Sequence, residues 1–183
     1  VFVTGDAEWN EYNVEVKVKP LLRTEPAGVV FRYHTNRHYY LFSLSGGNVA
    51  RVAVYQPIEK QFRIFESREL GRAEFPYDTR TYYALKVENE GPKIRAYIDG
   101  KLVISAEDSE LLKGKAGVAA NIPARFQDFR VTTVDANERA IRDRTQARER
   151  DLVRLRAENP QPKLWKKFST PVFGAGRNVR FGD

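Results

Sequence analysis

The sequence predicts an all-β protein, an antiparallel β-sandwich followed by a charged helical extension, and three observations carry that prediction. Apolar and polar residues alternate with a period of two along most of residues 1–134. Turns rich in Gly, Asn and Asp cut this alternation into short segments at regular spacing. No convincing helical pattern occurs before residue 136, where the composition changes abruptly.

The clearest element is the hairpin at Lys93–Leu102. Ile94, Ala96 and Ile98 alternate with Lys93, Arg95 and Tyr97, and Asp99-Gly100 supplies the left-handed backbone of a tight turn. The return strand runs from Lys101 to Ser105. Tyr12 to Lys19 alternates without a fault, so one face is buried and the other wet, and Pro20 ends it. Gly28 to His34 reads as a strand with Val29, Phe31 and Tyr33 toward the core and Arg32 and His34 opposite. Thr35-Asn36-Arg37 turns the chain into His38–Leu44, with Tyr40, Phe42 and Leu44 inward and Tyr39 and Ser43 outward. After the Gly46-Gly47-Asn48 turn, Ala50, Val52 and Val54 face inward, with Arg51 and Tyr55 outward. Phe62–Glu66 reads as a shorter strand, and Tyr82–Val87 as another, its buried set being Tyr83, Leu85 and Val87. Gly114–Ala120 and Phe126–Val131 complete the sandwich.

The chain carries a net charge of +7 and no cysteine, which removes thiol nucleophiles, disulfides and thiolate metal sites. The charge is unevenly placed. Residues 137–183 hold twelve basic and six acidic residues, leaving 19 against 18 in residues 1–136. A nearly neutral body argues against a nucleic-acid-binding sheet. No run is long and apolar enough for a transmembrane helix, and no basic amphipathic stretch carries membrane-surface aromatics, so no membrane partner is expected. The chain does not begin with Met, and it is expected to be a piece of a longer product.

From Glu138 to Glu158 the sequence is Arg- and Glu-rich, with only a thin stripe of Ile141, Leu152 and Leu155. Residues 135–160 are expected to form a charged linker helix, capped by Asp135 or Asn137 and ended by Asn159-Pro160. Acidic residues interleave with its arginines, and Glu138 sits one turn before Arg142, as in a solvated helix. Residues 161–183 are expected to form an extended tail leading into a following domain.

The run Gly28–Tyr33, the pair Tyr39-Tyr40, the Asp99-Gly100 hairpin and the closing Gly114…Gly117-Val118…Phe126-Gln127-Asp128-Phe129 resemble the laminin-G-like, concanavalin A-like jelly-roll domains. These occur in lectins and in bacterial glycan-degrading proteins, including the 3-keto-disaccharide hydrolase family. The resemblance covers roughly residues 1–134 and implies a jelly-roll sandwich. Gly176–Asp183 also resembles the lead-in to the Asp-rich calcium loops of FG-GAP-type propeller repeats in rhamnogalacturonan lyases and integrin-like proteins, although the ligands themselves do not follow. Together the resemblances imply the front part of a polysaccharide-degrading protein that is secreted, periplasmic or on the cell surface.

The densest chemistry lies in Arg32, His34, Arg37, His38, Tyr39, Tyr40, Arg51 and Tyr55. On a concave sheet, aromatic rings stack on sugars, and Arg forks bind hydroxyls or a uronate carboxylate. Arg32, His34, Tyr39, Arg51 and Tyr55 are therefore the candidate glycan-binding residues. The plainer alternative is that Tyr and Arg form ordinary cross-strand pairs on an outer face. A lyase would use the same set as base and charge neutraliser, so a catalytic glycosidase or lyase role stays open. So does a protein-docking role. No nucleophile elbow, phosphate loop, dinucleotide fingerprint or zinc motif is present. Glu59, Glu66, Glu69, Glu74 and Asp78 read as a solvated loop surface rather than a paired-carboxylate site. Asp6 and Asp128 would lie side by side in a jelly roll, a candidate structural Ca²⁺ site completed by backbone carbonyls; both as plain turn residues is the alternative. The expected role is glycan recognition, or structural support, within a polysaccharide-degrading protein, with a polysaccharide or oligosaccharide as partner.

Overall fold

The computed structural model describes residues 1–58, 61–133 and 135–158. Its elements are β1 (Phe2–Thr4), β2 (Tyr12–Pro20), β3 (Ala27–Thr35), β4 (His38–Ser45), β5 (Val49–Ile58), β6 (Gln61–Glu74), β7 (Tyr83–Glu90), β8 (Lys93–Ile98), β9 (Lys101–Glu107), β10 (Lys115–Ala120), β11 (Ala124–Thr133) and α1 (Asp135–Glu158). The strands form a six-stranded sheet in the order β1-β10-β3-β4-β5-β6 and a five-stranded sheet in the order β11-β2-β7-β8-β9. Every described pairing is antiparallel. The predicted sandwich is therefore the observed one.

The inner faces are the alternating apolar sets of the sequence. Val14, Val16 and Val18 of β2, Leu85 and Val87 of β7, and Ile94, Ala96 and Ile98 of β8 come from the smaller sheet. They meet Val29 and Phe31 of β3, Tyr40, Phe42 and Leu44 of β4, and Ala50, Val52 and Val54 of β5. Burying each such large side chain contributes about 1.5–3 kcal/mol, and almost every one is fully buried here. Asp99 and Gly100 have φ of +49° and +78°, both left-handed, as a two-residue hairpin turn demands.

Two expectations are overturned. Arg32 does not face outward, and Tyr33 does not face the core. Arg32 has φ +47°, and the register slips around it, with Lys115 opposite Tyr33 but Gly117 opposite Val30. This β-bulge inserts one residue and breaks the alternation locally. The Arg32 side chain turns into the sandwich, fully buried, and Tyr33 turns out beside Val30, Tyr39 and Leu41. Second, Glu66, Glu69 and Glu74 are not in a loop. They lie on β6, which runs for 14 residues as the edge strand of the larger sheet, well beyond the short strand expected at Phe62–Glu66. A register shift at Val52/Ala53 leaves Leu70 unpaired between Glu69 and Gly71. That bulge hides the alternation that would have marked the strand in the sequence.

The sandwich and the later part of α1 belong to separate compact units, divided at Ile141/Arg142. Along α1, Arg144 to Leu155 is exposed, including the apolar Leu152, Val153 and Leu155. Among the described residues, no helix is long and apolar enough to cross a membrane. The expected tail and its propeller-like lead-in lie outside the described residues.

Candidate binding face

Alternation on β3 to β6 decides what the larger sheet shows on its outer face. On β4 and β5 the outward residues pair directly across the strands, Tyr39 with Tyr55, Leu41 with Ala53, and Ser43 with Arg51. On β6 they are Phe65, Ser67 and Glu69, and then, past the bulge, Arg72 opposite Arg51. Tyr39 and Tyr55 stack with ring centres 4.8 Å apart and planes 11° apart. Tyr33 continues the row on one side, 5.8 Å from Tyr39, and Phe65 on the other, 5.9 Å from Tyr55. The result is an aromatic ladder across four strands.

Rings at the spacing of adjacent strands stand on edge and spend their faces on one another. This explains why Tyr39 is only 8 % exposed, and why Val30 and Leu41 beneath the rings are buried although they lie on an outer face; Ser43, opposite Arg51, and Ala53 are buried there too. Burial pushes the Tyr39 hydroxyl up to about 12, with its neighbours Tyr55 and Tyr33 adding to the shift. Tyr55 is raised as well, first by burial, against the pull of Arg51. Both phenols stay protonated at neutral pH, so they are hydrogen-bonding groups and not bases. Phe65, at the end of the ladder, is 45 % exposed and keeps apolar surface open to solvent.

Beside the ladder lies a polar cluster. Arg51 Nε is 3.0 Å from Glu69 Oε2, close enough for an ion pair, while its N–H is not aligned on any acceptor. Arg51 Nη2 donates to Ser67 Oγ at 3.2 Å, and Arg72 Nη2 donates to the same Glu69 Oε2 at 3.2 Å. Arg51 is mostly covered, whereas the Arg72 side chain is 61 % exposed. One carboxylate oxygen thus holds two guanidinium groups on a rigid pair of strands.

The sequence candidates divide between this face and elsewhere. Tyr39, Arg51 and Tyr55 are brought together on it. Arg32 is inside the sandwich, where Nη1 donates to the Leu111 carbonyl at 2.9 Å and Nη2 to the Gly91 carbonyl. Its guanidinium lies 5.7 Å from the Tyr40 ring centre, and its backbone N–H donates to Tyr12 Oη at 2.7 Å. It is a structural residue. His34 and His38 pack edge to face, 5.8 Å apart, and tie the β9–β10 connection down. His34 Nε2 donates to the Lys113 carbonyl at 3.0 Å, and His38 Nε2 is 2.9 Å from Glu110 Oε1. The same connection is held by Asp108, which accepts from Tyr40 Oη at 2.5 Å and pairs with Arg68 at 2.7 Å. Burial alone would raise the Asp108 carboxyl, but Arg68, Tyr40 and the Glu110 N–H outweigh it and hold it below the usual range.

The proposed calcium pair fares differently. Asp128, at φ +54° in a bulge of β11, pairs with Lys17 at 2.8 Å. Asp6 accepts from the Glu8 N–H in the turn after β1. A cation at Asp128 would have to displace Lys17, and among the described residues no three acidic or imidazole groups converge to hold a metal.

Phe65, Ser67, Glu69 and Arg72 were not predicted. The i, i+2, i+4 spacing of Phe65, Ser67 and Glu69 was the available signal; the Leu70 bulge placed Arg72 out of phase with it.

No family model matches the sequence, and no curated protein matches it. Several solved structures share its fold. The carbohydrate-binding module CBM66 from Bacillus subtilis superposes with a TM-score of 0.59 at 21 % identity, over 68 % of this chain and 76 % of that one. Domain 4 of AbnA, an extracellular family 43 arabinanase from Geobacillus stearothermophilus solved with arabinotriose, gives 0.54 at 15 % identity, over 72 % of this chain and 65 % of that one. A mutant of the family 43 protein BlXynB from Bacillus licheniformis gives 0.53 at 20 % identity, over 68 % of this chain but 28 % of that one. The chain has the β-sandwich fold of these domains.

Proposed function

We propose that this chain is a non-catalytic glycan-recognition module that binds an oligosaccharide along β5 and β6 on the outer face of the larger sheet. The observation that carries the reading is the Arg51–Glu69–Arg72–Ser67 cluster beside the exposed ring of Phe65. A sugar needs this pair of surfaces: an apolar face under the ring's C–H groups, and fixed donors and acceptors for its hydroxyls. From Phe65 to Glu69 the outward side chains span about 13 Å at strand rise, room for more than one sugar unit. The shared fold with CBM66 and with the arabinanase domain supports the reading.

The BlXynB match, in which the likeness covers a minor part of the longer chain, supports an accessory role inside a larger protein; the extracellular arabinanase whose domain shares the fold suits a parent that degrades polysaccharide outside the cytoplasm. The groups at the centre of this face suit binding rather than proton transfer. Both central tyrosines are held protonated, and Glu69 is committed to its arginines.

Binding to a panel of neutral and uronic-acid polysaccharides tests the proposal, with Phe65→Ala and Arg51→Ala alongside. Binding that both variants weaken is expected. Binding that neither variant alters, or release of sugar products by the chain itself, would contradict it.

A further inference from the structure

The two sheets treat paired cations differently, and the difference points to the kind of glycan. On the smaller sheet, Lys86 and Arg95 also converge on one carboxylate, Glu88, at 2.8 and 3.1 Å. There a second carboxylate completes the set, since Arg95 Nη2 lies 3.3 Å from Glu90. Two cations meet two anions. On the larger sheet, Arg51 and Arg72 meet Glu69 alone, through the same oxygen. Among the described residues, Glu74, at the far end of β6 opposite Val49, pairs with neither arginine. The two guanidinium groups therefore share one carboxylate within ion-pair distance, Glu74 lying two residues farther along the same face. Arg72 is next to a largely covered guanidinium, where solvent screens less than at an open surface.

We infer that the face selects an acidic glycan, one unit of which contacts Phe65 while the carboxylate of a unit farther along the chain docks on the open side of Arg72. The inference rests on the glycan-binding reading above. Arg72 commits one Nη2 hydrogen bond to Glu69, and the rest of its planar fork faces solvent. A planar carboxylate matches that fork with two parallel hydrogen bonds, as a hydroxyl does not. Ser67 and the Arg51 guanidinium then remain for the ring hydroxyls of the same or the next unit. Glu69 keeps both arginines in place and bars the carboxylate from settling deeper, which fixes the acid group toward the Arg72 side.

The test is calorimetric titration of the whole chain with three ligands of equal length: an oligogalacturonate, its methyl ester and the neutral oligogalactoside. Poly-glutamate serves as a carboxylate polymer without sugar rings, because the chain as a whole is basic. The oligogalacturonate is expected to bind about tenfold tighter than its ester, the discrimination that one charge-assisted pair carries. Arg72→Gln is expected to bring the acid down to the level of the ester, with an unchanged melting temperature. Equal or tighter binding of the ester or the neutral sugar would overturn the acidic preference and leave glycan binding standing. Poly-glutamate binding as tight as the oligogalacturonate, or an Arg72→Gln variant that keeps the acid preference, would overturn it too. No binding of any sugar would remove both the inference and the reading beneath it.

Discussion

The outer faces of the two sheets are built from the same alternation and end in different chemistry. The face of the smaller sheet is a closed electrostatic set: Glu88 accepts from Lys86, Arg95 and Tyr97, Glu90 backs Arg95, and Lys17 meets Asp128. These contacts hold the Glu88 carboxyl low, Lys86 first and the Tyr97 hydroxyl next. Beside these pairs the face exposes apolar Leu102, opposite Tyr97. The face of the larger sheet carries an aromatic ladder, exposes Phe65, and has two guanidinium groups sharing the one carboxylate within ion-pair distance. A sheet face becomes a site when its interactions are left incomplete in a rigid frame.

The largest expected effect separates Arg32 from Arg51, which look equivalent in the sequence. Arg32→Ala removes a buried guanidinium, leaves the Leu111 and Gly91 carbonyls unpaired and opens a cavity beside Tyr40. It should cost about 3 kcal/mol or more in urea unfolding. Arg51→Ala should cost under about 1 kcal/mol, because its ion pair is partly exposed. If the two variants lose stability equally, the division between a structural and a ligand-facing arginine fails.

Next come the binding variants. Phe65→Ala and Arg51→Ala should each weaken glycan affinity by about tenfold or more, as loss of a central aromatic or arginine contact does. Glu88→Gln on the opposite face should leave affinity unchanged. A Glu88→Gln variant that binds as poorly as Arg51→Ala would move the site to the smaller sheet.

A smaller effect concerns the rim. Asp108→Asn weakens the hub joining Tyr40, Arg68 and the Glu110 N–H, and should cost about 1–2 kcal/mol at neutral pH. Its folded carboxyl is held below the usual value, so its contribution is complete above the unfolded carboxyl's pKa of about 4 and is lost as pH falls through the lowered folded value. The stability gap between the parent and Asp108→Asn should therefore be constant at neutral pH and close in acid. A gap that widened with acid would mean that the carboxyl is not held down by its partners. The smallest effect belongs to Glu88→Gln, under about 1 kcal/mol in stability, with the same closure in acid.

How much was legible in the sequence follows from where alternation runs unbroken. β2, β4, β5, β7 and β8 could be read residue by residue, inward and outward sets included, because each buries one face of a regular pleat; for β9, which carries a bulge of its own, only the hairpin return was legible. Two bulges set the limit. At Arg32 one left-handed residue broke the alternation locally, so a core arginine looked like a ligand and the outward Tyr33 looked like core. At Leu70 an unpaired residue made an edge strand look like an acidic loop, and Glu69 and Arg72 were lost with it. The Arg32 bulge has no glycine to mark it and is held by carbonyls 59 and 79 residues away in sequence; at Leu70 the adjacent Gly71 is the one local sign of a bulge, whose direction is set by the core that Leu70 packs against. Long-range pairing of this kind cannot be read from local pattern.

The central claim is that the ligand lies on the outer face of the larger sheet along β5 and β6. Amide chemical shifts of the labelled chain, followed during titration with the tightest-binding oligosaccharide, test it most directly. The account predicts shifts confined to Arg51–Tyr55 and Phe65–Arg72, with Glu15–Lys19 and Lys86–Tyr97 unmoved. Shifts centred on Lys86–Tyr97, or on the Asp108–Gly114 connection, with Phe65–Arg72 silent, would contradict it.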